Sequence, residues 1–175
     1  MSDLLIRPAA PADIAAITAI YAPAVLTGTA SFELEPPNAA EMRARFEAIT
    51  RDGFPYLVAE RDGAIAGYAY VNHYRTRPAY RFAVEDSIYV AQDMQGQGVG
   101  KALLAELITA SEARGYRQMI AVIGDSLQLG SIALHRAAGF TFCGTLHAVG
   151  YKFGRWIDSV LMQRALGPGE TTPGG

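Results

Sequence analysis

The chain has 175 residues, half of them hydrophobic, with a formal charge of −2 and one cysteine. That length predicts one domain with a substantial core, over 1–166, and the near-neutral balance argues against a nucleic-acid-binding protein. The apolar runs fall short of the roughly 20 residues that cross a bilayer, Met1-Ser2-Asp3-Leu4 does not read as a signal peptide, and a lone cysteine has no disulfide partner within the chain, so a cytoplasmic protein is expected.

Leu4-Leu5-Ile6 reads as a first strand. A helix is expected from Pro11–Asp13 onward, with Ile14, Ile17 and Ile20 on one face. Thr27 to Pro37 has no clear period and reads as a loop. Asn38-x-x-Glu41 resembles a capping box ahead of Met42, Phe46 and Ile49 at helical spacing. Tyr56–Arg61 and Ala64–Tyr74 are strand-like, joined by the hairpin signal Asp62-Gly63. A polar stretch, 75–81, leads into a strand over Phe82–Val90. Lys101–Arg114 is the clearest helix, with Leu103, Leu104, Leu107 and Ile108 as its buried stripe and Gly115 as its stop. Met119–Ile123 reads as a buried strand of the parallel type. A short helix follows over Ser131–Ala138, then strands over Phe140–Val149 and Trp156–Arg164. Cys143, between Phe142 and Gly144, is expected to be a packed core thiol rather than a nucleophile. Residues 167–175 are expected to be a disordered tail.

The most informative segment is Gln95-Gly96-Gln97-Gly98-Val99-Gly100-Lys101, between a strand and an apolar helix. Three glycines at alternate positions let a ligand approach the backbone closely. The helix that follows begins with N–H groups lacking intrahelical partners, at the positive end of its dipole. A diphosphate suits that place. A cation in a first turn normally opposes the dipole, so Lys101 makes sense beside a bound anion. Only two lysines, Lys101 and Lys152, stand among the fifteen basic residues. A dinucleotide fingerprint needs a sixth-position glycine where Lys101 stands. A P-loop needs Gly and Ser or Thr where Gln95 and Ala102 stand.

Gln95-x-x-Gly98-x-Gly100 after Ser87-Ile88-Tyr89-Val90 resembles the coenzyme A pyrophosphate loop of the GNAT superfamily of N-acetyltransferases. The order β, α, α, β, β, β, α, β, α, β, β matches that superfamily along roughly residues 3–165. The blocks Val84–Val90, Ala121–Gly124, His135-x-x-x-Gly139-Phe140 and Gly28–Glu33 resemble its phosphinothricin and methionine sulfoximine or sulfone branch. The resemblance implies an α/β GNAT acyl-CoA N-acyltransferase fold, with a mixed, mostly antiparallel sheet flanked by helices. It implies acetyl-CoA as the cofactor and a small amine, carrying a carboxylate, as the acceptor.

Acetyl transfer from a thioester to an amine needs a base, close approach, and a donor for the oxyanion. Strand alternation puts Glu85, Ser87 and Tyr89 on one face and Val84, Asp86, Ile88 and Val90 on the other. Glu85 stands where the family places its base. An ordinary Glu titrates near 4.3, far below an alkyl amine, so a water relay or attraction of the ammonium is the expected route. The competing reading of Glu85 is an ion pair with Arg75, Arg77 or Arg81. The cluster Tyr74–Arg81, with Arg75, Thr76 and Arg77 as its binding residues, is the expected specificity element, because arginine holds carboxylates in a fork. Asp86 and Ser87 adjoin the acceptor by the same resemblance. Phe32 either closes this pocket or belongs to the core.

The resemblance puts the backbone of Ile88, Tyr89 and Val90 against the pantetheine arm. It puts Gln95, Gly96, Gln97, Gly98, Val99, Gly100 and Lys101 around the pyrophosphate. Gln128 stands where relatives carry a coenzyme-contacting Asn. His135 stands where many acetyltransferases place a tyrosine acid. It is read as an acid, a cofactor ligand, or a residue satisfying its own helix. His73 and His147 lack neighbours at metal-ligand spacing, so no metal is expected. Tyr151 and Trp156 suggest a homodimer. Other readings keep the fold with a protein N-terminus, lysine or polyamine as acceptor, or with acyl-CoA binding and no catalysis.

Overall fold

Residues 3–174 are described by the computed structural model, so Met1, Ser2 and Gly175, at the ends of the expected domain and tail, lie outside it. The strands are β1 (Leu5–Pro8), β2 (Tyr56–Arg61), β3 (Ala64–His73), β4 (Ala83–Val90), β5 (Gln118–Gly124), β6 (Thr141–Lys152) and β7 (Arg155–Ala165). The helices are α1 (Ile14–Leu26), α2 (Ala39–Arg51), α3 (Val99–Glu112) and α4 (Leu129–Ala137). Their order along the chain is the expected one. Short 3-10 turns are added at Pro11–Asp13, Pro78–Tyr80 and Gln92–Met94.

The strands form one sheet in the order β1-β2-β3-β4-β5-β7-β6. Every neighbouring pair is antiparallel except β4 and β5. The sheet is covered on both faces, as its period-2 patterning requires. Leu57, Ala59, Ala69, Val71 and Val84 face one side, against Leu103, Leu104 and Leu107 of α3. Tyr56, Val58 and Tyr68 face the other, against Ile14, Ile17 and Tyr21 of α1 and Met42 and Phe46 of α2. The three α3 leucines are completely buried, and each contributes about 1.5–3 kcal/mol of transfer free energy.

Several boundaries and placements differ from expectation. Helix α3 starts two residues early, at Val99, because Gly98 takes a left-handed turn (φ 84°) and caps it. Helix α4 starts at Leu129, which makes Gln128 its N-cap. Strand β6 runs on to Lys152, because Phe153 and Gly154 both take positive φ and close a tight hairpin into β7. Asn38 caps α2 by accepting from the Glu41 N–H at 2.9 Å. The Glu41 carboxylate pairs with Arg45 and leaves the box half-formed.

Cys143 is not a core thiol: it is exposed. The β6–β7 register slips between Phe142 and Gly144, so Cys143 is the extra residue of a bulge on an edge strand. The tail is tied by hydrogen bonds as far as Pro173. Arg117 donates to the Gly169 carbonyl at 3.0 Å, to Thr172 Oγ1 at 2.9 Å and to the Pro173 carbonyl at 3.1 Å.

Gly67 on β3 sets how closely α3 approaches the sheet. A Cβ there would stand 2.8 Å from the Tyr89 carbonyl oxygen and 3.2 Å from the side chains of Val99 and Leu103. Gly67→Ala is expected to cost about 1–3 kcal/mol in denaturant unfolding and to displace the N-terminus of α3.

Candidate active site

The cleft begins where the two parallel strands part. β4 and β5 pair only from Ala83↔Gln118 to Asp86↔Ala121. Beyond that point β4 keeps only β3 as a partner, through Ser87 to Val90, while β5 continues along β7. Peptide groups of 87–90 that face the opening therefore have no strand partner, and a ligand can take that place. The resulting cleft has a volume of about 1280 Å³ and runs from the glycine loop to the segment around Phe32.

At one end stand Gln95, Gly96, Gly98, Val99, Gly100 and Lys101. Gly96 (φ 73°) and Gly98 (φ 84°) occupy the left-handed region, and a Cβ on either would meet only open space. Here glycine is required by conformation, and it leaves a bare cradle. Gly98 caps α3 without a side chain, so the first-turn N–H groups face the cleft at the positive end of the helix dipole. Gln97 turns away. It accepts from Arg61 at 2.8 Å and donates to the Asp93 carbonyl at 2.8 Å, bracing the loop from outside.

At the fork, alternation sends Glu85 and Asp86 to opposite faces. The Asp86 carboxylate is bonded to His135 Nε2 at 2.9 Å, and both side chains are buried. The other ring nitrogen, Nδ1, donates to the Ser131 carbonyl at 2.7 Å. Burial acts to lower the His135 pKa, but the bond to Asp86 and its charge outweigh it and raise the value. Glu85 accepts no hydrogen bond from the described residues. Burial, reinforced by the Asp86 charge and opposed by Arg75, lifts its carboxyl from 4.5 to about 7.

The far end is walled by the segment between α1 and α2. Phe32 lies over the backbone at Gly124 and Gly150, where an added Cβ would come within 2.8 Å and 2.6 Å of its ring. Thr29 donates to Asp125 Oδ2 at 3.0 Å and accepts from Gln128 Nε2 at 3.1 Å. Tyr21 donates to Glu33 Oε1 at 2.9 Å and is bonded to Ser31 Oγ at 2.8 Å. Arg45 holds Glu33 from outside, with an N–O distance of 2.6 Å.

The sequence matches the family description "Acetyltransferase (GNAT) domain" over residues 6–161. The chain belongs to the GNAT acetyltransferases. It is 59% identical over 160 residues to a phosphinothricin N-acetyltransferase of Alcaligenes faecalis, covering 91% of this chain and 81% of the relative. It is 41% identical over 169 residues to an L-methionine sulfoximine/L-methionine sulfone acetyltransferase of Pseudomonas paraeruginosa, covering 96% and 98%. Its fold superposes on a phosphinothricin acetyltransferase of Sinorhizobium meliloti in complex with AcCoA, with TM-score 0.96 and 50% identity over 98% of this chain and 93% of that one.

Within this GNAT domain the cleft gathers most residues singled out from the sequence. Phe32, Glu85, Asp86, Ser87, Ile88, Tyr89, Val90, Gln128 and His135 line it together with the glycine loop. Gln97, Arg75, Thr76 and Arg77 do not line it, and all four are exposed. Arg75 lies over the Tyr74 ring at 5.2 Å and acts on Glu85 through its charge alone. Phe32, open between pocket and core in the sequence, is a cleft residue with 42% of its surface exposed. Sequence reasoning missed Glu33 and Ser131, which also line the cleft, and the bracing groups Tyr21, Asp125 and Lys152. For Lys152 a signal was present, its rarity.

Because Glu85 keeps its proton to higher pH in the native state than in the unfolded chain, its ionisation lowers stability as pH rises from 4.5 towards 7. Glu85→Gln removes that cost. The variant is expected to be more stable than the parent above pH 7 by about 1–3 kcal/mol, at roughly 1.4 kcal/mol per pH unit. The difference should vanish near pH 4.5, as chemical unfolding at the two pH values would show.

Proposed function

We propose that this protein is an acetyl-CoA-dependent N-acetyltransferase that acts on the amine of a small, amino-acid-like molecule of the phosphinothricin, methionine sulfoximine or methionine sulfone type. The observation that carries the chemistry is a carboxyl of pKa about 7 at the fork of β4 and β5, opposite a bare anion cradle. The cradle fits a coenzyme A diphosphate: Gly96 and Gly98 leave room, the N-terminus of α3 offers donors, and Lys101 adds charge. The edge of Ile88, Tyr89 and Val90, which has no strand partner, suits the amide-bearing arm, as one strand suits another. When bound, the cofactor supplies an activated acetyl thioester.

Glu85 accepts the proton of the incoming ammonium. Its raised pKa removes much of the mismatch with an amine that titrates near 8 or above. It holds that proton more weakly than an ordinary thiol, whose pKa is about 8.5, so it would pass it to a departing thiolate, while the second proton that the nitrogen loses on becoming an amide goes to solvent. Free peptide N–H groups on 87–90 serve as oxyanion donors. His135 has both ring nitrogens engaged, so we assign it to fixing Asp86 at the fork and sustaining the field on Glu85. Arg75, outside the cleft lining but within electrostatic reach of Glu85, attracts the acceptor's carboxylate. Gln128 takes the place of the relatives' Asn as a cleft amide, with its nitrogen directed to Thr29.

A second reading rests on the charge of the lining. Glu33, Glu85 and Asp86 line the cleft, whereas of its basic side chains Lys101 stands at the cradle and His135 is bonded to Asp86. Such a wall suits a polyamine or a lysine side chain. Coenzyme A release with L-phosphinothricin, methionine sulfoximine and methionine sulfone, beside spermidine and a lysine peptide, separates the two. Turnover confined to the first three supports the amino-acid reading, and turnover of spermidine alone refutes it.

We also propose a homodimer through the β6–β7 hairpin, where Phe142, Leu146, Val149, Tyr151, Phe153 and Trp156 are all exposed. An edge strand with such an apolar surface calls for a cover, and light scattering of Trp156→Glu should show monomers. Among the described residues no helix is long and apolar enough to cross a membrane. A free, exposed Cys143 suits the reducing cytoplasm.

For catalysis, kcat/KM is expected to rise tenfold per unit below pH 7 and level off above it. Glu85→Gln should abolish that inflection and lower kcat about 10²–10⁴-fold, with acetyl-CoA affinity within twofold of the parent by calorimetry. Arg75→Ala should raise acceptor KM about tenfold with little change in kcat; an unchanged KM removes Arg75 from acceptor capture.

A further inference from the structure

Lys152 is only 4% exposed, and no carboxylate forms a salt bridge with it among the described residues. Its Nζ donates to two backbone carbonyls of one short segment, Gly28 at 2.9 Å and Ser31 at 2.8 Å. Burying an ammonium costs several kcal/mol unless its donors are satisfied. A neutral side chain would fill the site more cheaply, so the charge is retained for what it holds. What it holds is a turn with no regular structure of its own, which carries Phe32 into the cleft. The same turn is tied by Thr29 to Asp125 and by Ser31 to Tyr21. Lys152 sits two residues after Gly150, so one stretch of β6 both grips the turn and provides half of the slot for the Phe32 ring.

We propose that Lys152 is a specificity-determining positioning residue: it clamps residues 28–31 so that the Phe32 ring stays in its Gly124–Gly150 slot and shapes the acceptor end of the cleft. This rests on the acetyl transfer proposed above, with Phe32 closing the acceptor pocket. No hydrogen bond joins the clamped turn to the cradle residues 95–101 among the described residues, so loss of the clamp leaves the cradle intact, and Gln128, bonded to Thr29, is its one link towards the cofactor side. The clamp acts through Phe32, so the two residues are energetically coupled.

The experiment compares Lys152→Met, Phe32→Ala and the double variant with the parent. Three readouts are taken: acceptor KM, acetyl-CoA Kd, and amide hydrogen exchange over residues 28–33. Lys152→Met should raise acceptor KM about tenfold or more, keep acetyl-CoA Kd within twofold, and speed exchange at 28–33 at least tenfold. The double variant should be no worse than Phe32→Ala alone. Unchanged exchange at 28–33, equal losses for acceptor and acetyl-CoA, or multiplicative effects of the two substitutions would each overturn the proposal. If the parent turns over none of the amino-acid acceptors, the functional reading fails, and hydrogen exchange still decides the clamp. If Lys152→Met does not fold, Lys152→Gln, a shorter neutral donor, takes its place under the same criteria.

Discussion

Everything at this site depends on the parting of β4 and β5 after Asp86 and Ala121. Two parallel strands that stayed paired would satisfy each other's backbone and leave no room for a ligand. Their divergence creates an opening in the middle of an otherwise continuous sheet, and it leaves peptide groups of 87–90 in need of partners. The wedge is kept open from both sides. α3 is drawn against β3 through Gly67, and α4 is bound to the fork through His135 and Asp86. The glycine cradle stands at the end of the opened strand because Val90, the 3-10 turn at 92–94 and Gly98 deliver the chain directly into α3.

The fork also decides the electrostatics. Adjacent strand residues point to opposite faces, so Glu85 and Asp86 share one location without sharing an environment. Asp86 is hydrogen-bonded to a buried imidazole. Glu85 has no hydrogen-bonded partner among the described residues, and it pays for burial with a raised pKa. That is how a carboxyl that ordinarily titrates near 4.5 comes to titrate near neutral pH. The wall around Phe32 follows the same logic with opposite sign, a buried cation that donates to two carbonyls and lies 5.1 Å from the Phe153 ring.

Much of this was legible in the chain. The period-2 runs of β2 to β4, the α3 leucine stripe and the Asp62-Gly63 turn specify local structure through short-range sterics and burial, and their order conveys the topology. The cradle was legible because glycines at left-handed positions beside a helix start serve few other purposes. Ser87 to Val90, the Glu85–Asp86 alternation and His135 could likewise be placed by counting along a strand and a helix. Where the reading slipped, the cause was a local choice with non-local consequences. The bulge that exposes Cys143 is a matter of β6–β7 register, and Arg117 captures the tail from a distant part of the chain.

The sequence by itself thus determined the elements, their order, the cradle and the pair of carboxylates, because each is encoded within a few neighbouring residues. The tertiary structure alone decided the rest. It brought His135 to Asp86 across 49 residues and Lys152 to Ser31 across 121. It kept Arg75, Thr76 and Arg77 off the cleft lining, and it set Glu85 near neutrality. Burial and long-range hydrogen bonding are properties of the packed sheet and helices together, and no local pattern carries them.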